Sequence, residues 1–148
     1  MNRSVQRLKP LSFVYRSASS GVHQLNIYGR PLDLCSNNPM TGWYRDGYAR
    51  TDDNDRGRHV VCATMTAQFL DFTKNQGNDL STPRLPSFPG LRPGDRWALC
   101  ATRWFEAFRA GSAPLVKLEA THQKSLDYIT LDILESFDDR RVAANGHP

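Results

Sequence analysis

No acidic residue occurs in the first 32 positions of the chain, and cysteine occurs only three times, at Cys35, Cys62 and Cys100. No apolar run approaches the ~18 residues that a membrane helix needs. Each shortage excludes something. The acid-free stretch carries Arg3, Arg7, Lys9, Arg16 and Arg30 and so holds +5, while the 14 remaining basic residues face all 15 acids, leaving −1. The overall charge of +4 therefore belongs to the N-terminal segment. The rest lacks the basic face that phosphate neutralisation requires, so nucleic acid is not expected as a partner of the globular body. Nor is a membrane. Widely spaced cysteines, odd in number, do not make the framework of a small disulfide-rich domain. They read as reduced, mostly buried thiols in the cytoplasm or a similar reducing compartment. Phosphate-loop, dinucleotide and nucleophile-elbow motifs (G-x-x-x-x-G-K-[ST], G-x-G-x-x-G, G-x-S-x-G) are missing too.

What is present suffices for one domain. A chain of 148 residues buries roughly two-thirds of its unfolded surface without metal or disulfide. Residues 1–21 read as a basic, Ser-rich extension, either a disordered tail or an organelle transit peptide, with a candidate edge strand at Leu8–Val14. Residues 22–137 form the globular domain, and the polar 138–148 tail is expected to fray.

Within the body, strands and helices interleave irregularly. Leu25–Tyr28 reads as a short strand. Trp43-Tyr44-Arg45 and Tyr48-Ala49-Arg50 flank Asp46-Gly47, the signature of a tight hairpin. His59–Met65 is a strand; Thr66 caps a helix from Ala67 to about Gln76, which Gly77 stops in left-handed conformation. Arg96–Ala101 is a strand entered through Pro93-Gly94. A helix from Thr102 or Arg103 to Gly111 places Trp104 and Phe108 on one face. Leu115–Ala120 alternates with Val116, Leu118 and Ala120 inward. Thr121 and Thr130 cap short helices ending near Tyr128 and Phe137. The expected architecture is α+β, a single two-layer domain with helices on one face of a mixed sheet.

The longest connection, Gly77 to Asp95, is roughly three times the usual 2–6 residues. Its polar residues Asn78, Asp79, Ser81 and Thr82 either brace their own turns or converge with Arg84, Arg96 or Arg103 on an anion, for which arginine offers paired donors. Arg45 and Asp46 at the hairpin tip are further members, with Asp46 chiefly satisfying the turn. Glu119 shares the polar face of its strand with Lys117 and Thr121, and His122 follows at a helix N-terminus that disfavours imidazolium. Either is a candidate for proton transfer. The cluster Asp52-Asp53-Asn54-Asp55-Arg56-Gly57 fails as a calcium loop, since Arg56 and Ala63 stand where oxygen ligands belong. It reads as a solvated turn. His59 and Cys62, three apart on a strand, point to opposite faces and do not chelate together. Cys62 reads as structural and Cys100 as core, and no metal ligand set or cofactor is expected.

Four segments carry a resemblance: Pro39-Met40-Thr41-Gly42-Trp43-Tyr44-Arg45-Asp46-Gly47, Gly77-Asn78-Asp79-Leu80-Ser81-Thr82-Pro83-Arg84, Phe88-Pro89-Gly90-Leu91-Arg92-Pro93-Gly94-Asp95-Arg96-Trp97 and Leu118-Glu119-Ala120-Thr121-His122. Together, over about residues 25–137, they resemble the domain-of-unknown-function 2237 family. The resemblance implies a compact α+β domain with no established activity. Relatives resemble Arg-Asp-Gly-Cys-Cys and Arg-Trp-Cys-Leu-Cys where this chain has Tyr48-Ala49 and Ala98. Their cysteine content suggests a redox or metal centre, of which this chain keeps only three thiols. Three functions remain on these grounds. The first is a small polar or anionic ligand site, with or without catalysis. The second is a protein-interaction module presenting the aromatic segment Trp43–Tyr48. The third is thiol or metal chemistry through Cys62 and Cys100.

Overall fold

A computed structural model describes residues 24–144. The extension 1–21, with the strand suggested at Leu8–Val14, lies outside the described residues. Strand β1, His59–Thr64, pairs antiparallel with β2, Arg96–Cys100. Between them lie helix α1, Ala67–Asn75, and the long connection; α2, Ala101–Arg109, follows β2 directly. Two 3₁₀ turns, Leu118–Ala120 and Gln123–Asp127, lead to α3, Leu131–Ser136, and α4, Asp139–Ala144. The domain is α+β. In place of a wider mixed sheet, the described residues hold one two-stranded antiparallel sheet.

Both sheet edges are covered by irregular chain, which explains why the expected flanking strands shrink to bridges. On the outer edge of β1, Thr64 N donates to Leu115 O, Lys117 N to Cys62 O and His122 N to Val60 O. Val116, Leu118 and Ala120 do point inward, yet the chain tightens into a 3₁₀ turn after Lys117 instead of continuing the ladder. On the outer edge of β2, the buried hydroxyl of Thr41 accepts from Ala98 N at 2.9 Å. This single side-chain bond satisfies a strand amide and docks the 40–47 segment, which is a series of turns rather than paired strands. Gly42 permits that docking: its φ is +100°, and a Cβ there would collide with Tyr48 O.

Helix boundaries follow the local chemistry. Thr66 accepts from Phe69 N and Thr130 from Ile133 N as N-caps, and Gly77 takes φ +94° after α1. The second short helix begins one residue later than its sequence suggests, capped by His122 instead of Thr121. Thr121 is fully buried and serves the sheet, accepting from Cys62 N and donating to Lys117 O. The core joins both strands to the helices through Val60, Val61, Phe69, Leu99 and Trp104. Trp104 stacks on Phe108, meets Phe137 edge-on, and donates its indole N–H to Pro114 O at 3.0 Å. The tail after Phe137, expected to fray, holds α4, whose Asp139 pairs with Arg96 at 2.8 Å.

Two of the three cysteines are not the reduced thiols expected from the sequence. Cys35 and Cys62 form a disulfide with Cα atoms 5.7 Å apart. The pairing joins the irregular 24–58 region to the centre of β1, so sequence spacing gave no warning of it; only tertiary contact brings those positions together. It also removes the basis for reading a reducing compartment from the cysteines. Among the described residues no helix is long and apolar enough to cross a membrane. Because the bridge closes a loop with a sequence separation of 27 residues, Cys35→Ser or reduction should destabilise the domain by about 3–4 kcal/mol. A calorimetric melt with and without reductant should show the Tm lowered by roughly 10 °C or more.

Candidate functional site

The strand pairing contains one irregularity, and it builds the site. Val61 faces Leu99, Cys62 faces Ala98 and Thr64 faces Arg96, but a bulge between His59 and Val61 sets His59, not Val60, opposite Cys100. Side chains directly opposite on a ladder share a face, so the extra residue re-aims His59 onto the side of Cys100. Arg58 absorbs the bend with φ +48°; its carbonyl accepts from both Val60 N and Ala101 N, tying the bulge to the start of α2. The result is a contact of 3.8 Å between Cys100 Sγ and His59 Nε2.

Asp55 completes a line of three groups. Its carboxylate is fully buried and accepts from His59 Nδ1 at 2.6 Å, from His59 N at 2.9 Å and from Thr51 Oγ1 at 3.0 Å. The cluster expected to be a solvated turn is thus half correct: Asp52 and Asp53 are exposed, while Asp55 is an internal anchor. Trp43 covers the other side of the imidazole, its ring stacked at 5.4 Å and 13°. Gly57 leaves room for both reactive groups, since a Cβ there would lie 2.8 Å from His59 Cε1 and 3.1 Å from Cys100 Sγ. The imidazole is pushed up to about 9, chiefly by its contact with Cys100, against the opposing effect of burial and with further support from Asp55.

Cys100 is the free thiol of the chain and is half-buried, not core. It stands as N-cap of α2 without using its side chain for capping, so the sulfur sits at the positive end of that helix. A cleft of about 420 Å³ opens above His59, between Trp43, Arg45, Asn78, Arg84 and Trp97. A second, small space of about 60 Å³ shares His59, Asn78, Leu80, Trp97 and Ala98 with the cleft and is also lined by Cys100. Arg45 lies 5.0 Å over the Trp97 ring and Arg84 4.7 Å over Phe88. Their hydrogen bonds go to backbone carbonyls, of Gly42 for Arg45 and of Asp79 and Thr82 for Arg84. Among the described residues neither has a carboxylate partner.

Of the residues singled out in the sequence, Asn78 and Arg84 line this cleft, and Arg45 joins them. The others do not line it. Asp79 braces its own turn, accepting from Ser81 N and Thr82 N; Thr82's hydroxyl and amide hold its carboxyl below the ordinary range. Arg103 bonds Gln76 O and Glu106. Glu119 pairs with Arg140 at 2.9 Å. His122 is buried, accepts from Lys124 N through Nδ1, and is pushed down to about 4, first by burial and then by the charges of Arg58 and Lys124. Asp46 accepts from Tyr48 N and pairs with Arg50 at 2.6 Å.

Asp55, His59 and Cys100 are not legible as a set in the sequence. The i,i+4 spacing of Asp55 and His59 was available, but only the bulged register reveals their partner. Cys62, considered with His59 as a metal ligand pair, is occupied by the disulfide.

Fold and site together define a small α+β domain with an arginine-flanked cleft over a Cys–His–Asp arrangement. Residues 25–138 match the family described as an uncharacterised protein conserved in bacteria, DUF2237. The chain belongs to that family. No curated protein matches it.

The histidine pair has a pH consequence whose sign follows from its shift. Raised from 6.5 to about 9 in the folded state, His59 contributes stability that is fully present below about 6.5 and is lost as pH rises through about 9. The stability difference between wild type and His59→Gln, measured by urea unfolding, should therefore shrink steadily across that window.

Proposed function

We propose that this domain binds a small anionic organic molecule in the cleft above His59. The observation that carries this reading is the pair Arg45 and Arg84, which face one cleft with no carboxylate among the described residues to neutralise them. Both guanidiniums are exposed at the cleft; held by aromatic faces and backbone carbonyls, they keep donors for a carboxylate or phosphate. Trp43 and Trp97 supply flat apolar walls, and Asn78 adds an amide for orientation. This keeps the anion-binding expectation while moving it from Arg96, Arg103, Glu119 and His122, which have other partners, to Arg45, Arg84 and Asn78.

The interaction-module alternative draws on Met40, Trp43 and Tyr44, which remain 39–45% exposed. Yet Trp43 packs on His59, and the Tyr44 hydroxyl donates to Asp52 with Arg50 lying over its ring. Those contacts suit the wall of a cleft better than a free docking patch.

A thermal-shift and calorimetric screen of the intact protein against small carboxylates and phosphates tests the proposal. Arg45→Met and Arg84→Met keep the apolar stem over each ring, so they should preserve the fold. Each should weaken a hit by about tenfold or more, as expected for loss of a charged hydrogen bond of roughly 1.5–3 kcal/mol. Arg103→Met should leave affinity unchanged. Equal affinity in all three variants would overturn the assignment.

A further inference from the structure

Resting on that anionic-ligand reading, we infer that Cys100 is a nucleophile for acyl transfer, with His59 as its acid–base partner and Asp55 as a positioning residue, acting on a small anionic ester or thioester. The geometry supplies the three relations that such chemistry needs. Sγ lies 3.8 Å from His59 Nε2; Nδ1 of the same ring lies 2.6 Å from a fully buried carboxylate. The thiol lines a small space that shares five wall residues with the cleft. The anchored Nδ1 leaves Nε2 as the nitrogen facing sulfur, so the ring orientation is set before any ligand arrives. Asp55 cannot swing away, because its other bonds run to the His59 backbone and Thr51.

The step balances without an oxidant or reductant. The proton shared by Sγ and Nε2 resides on Nε2 as sulfur attacks the acyl carbon. A C–S bond forms, the bond from that carbon to the leaving oxygen or sulfur breaks, and Nε2 returns its proton to the departing group. Water then attacks the thioester while neutral His59 takes its proton; the carboxylic acid leaves and the thiol is restored. Peroxide reduction would instead leave a sulfenic acid on Cys100 that a second thiol, from the chain or from solution, must reduce. Cys35 and Cys62 are already bonded to each other, which favours hydrolytic over redox chemistry.

The oxidised 148-residue chain carries one free thiol, so alkylation reports on Cys100 alone. Neutral iodoacetamide should react with wild type at least tenfold faster near neutral pH than with His59→Gln. Gly57→Ala, whose new methyl presses on both His59 Cε1 and Sγ, should slow the reaction similarly and stands in if His59→Gln fails to fold. Incubation with p-nitrophenyl succinate should give p-nitrophenolate and a succinyl adduct on Cys100, seen by intact mass and decaying with time. An iodoacetamide rate unchanged by His59→Gln and Gly57→Ala, or no adduct in wild type, would overturn the nucleophile. The anionic cleft has its own readout: iodoacetate should outpace iodoacetamide in wild type, and Arg45→Met with Arg84→Met should abolish that preference. A fast, His59-dependent thiol without the iodoacetate preference would retain the nucleophile and reject the anionic substrate class.

Discussion

The register of two short strands governs most of what this domain can do. With a regular ladder Val60 would face Cys100, and His59 would point to the other side of the sheet. One inserted residue reverses that, and Arg58 takes up the strain in a left-handed turn whose carbonyl grips both the bulge and the first amide of α2. A buried carboxylate then holds the histidine by ring and backbone together. Side-chain chemistry here is a consequence of backbone pairing, and the pairing is protected because Val60, Val61, Leu99 and Trp104 lie in one core.

A sheet of two strands is marginal by itself, so its edges and its surroundings must be secured otherwise. Thr41 and Thr121 each place a buried hydroxyl where a neighbouring strand would put a carbonyl, accepting from Ala98 N and Cys62 N. The disulfide fastens the irregular N-terminal half to the middle of β1. These devices leave the loops free to shape a cleft. The same irregular segment that Thr41 docks carries Trp43 and Arg45 to one side of it, and the connection after α1 brings Asn78 and Arg84 to the other. Loops held on a rigid sheet commonly carry binding residues, and membership of an uncharacterised bacterial family leaves the cleft itself as the guide to function.

Positive charge is unevenly satisfied across the molecule. Arg50, Arg58, Arg96, Arg103 and Arg140 each meet an acidic side chain, whereas Arg45 and Arg84 rest on aromatic rings beside the cleft. His59 and His122 diverge in the same way. His59 gains a sulfur and a carboxylate and is held up; His122 gains burial and positive neighbours and is held down. His59 lies beside a thiol and His122 in the packed interior, although the sequence offered His122 as the more promising of the two.

Local chemistry written in the sequence determined the β1, α1, β2 and α2 segments, the caps at Thr66 and Thr130, the left-handed stop at Gly77 and the inward set Val116, Leu118 and Ala120. Those features depend on neighbours within a few residues, whose periodicity and turn preferences act whatever the rest of the chain does. The narrowing of the sheet, the Cys35–Cys62 bridge, the burial of Asp55 and the meeting of His59 with Cys100 were decided by tertiary structure. Each joins positions whose proximity depends on strand register or edge docking, and a one-residue shift in register exchanges the faces of every side chain involved. Asn78 and Arg84 could be suspected from loop composition; that they share a cleft with Arg45 was settled only by how three loops fold over one bulged strand.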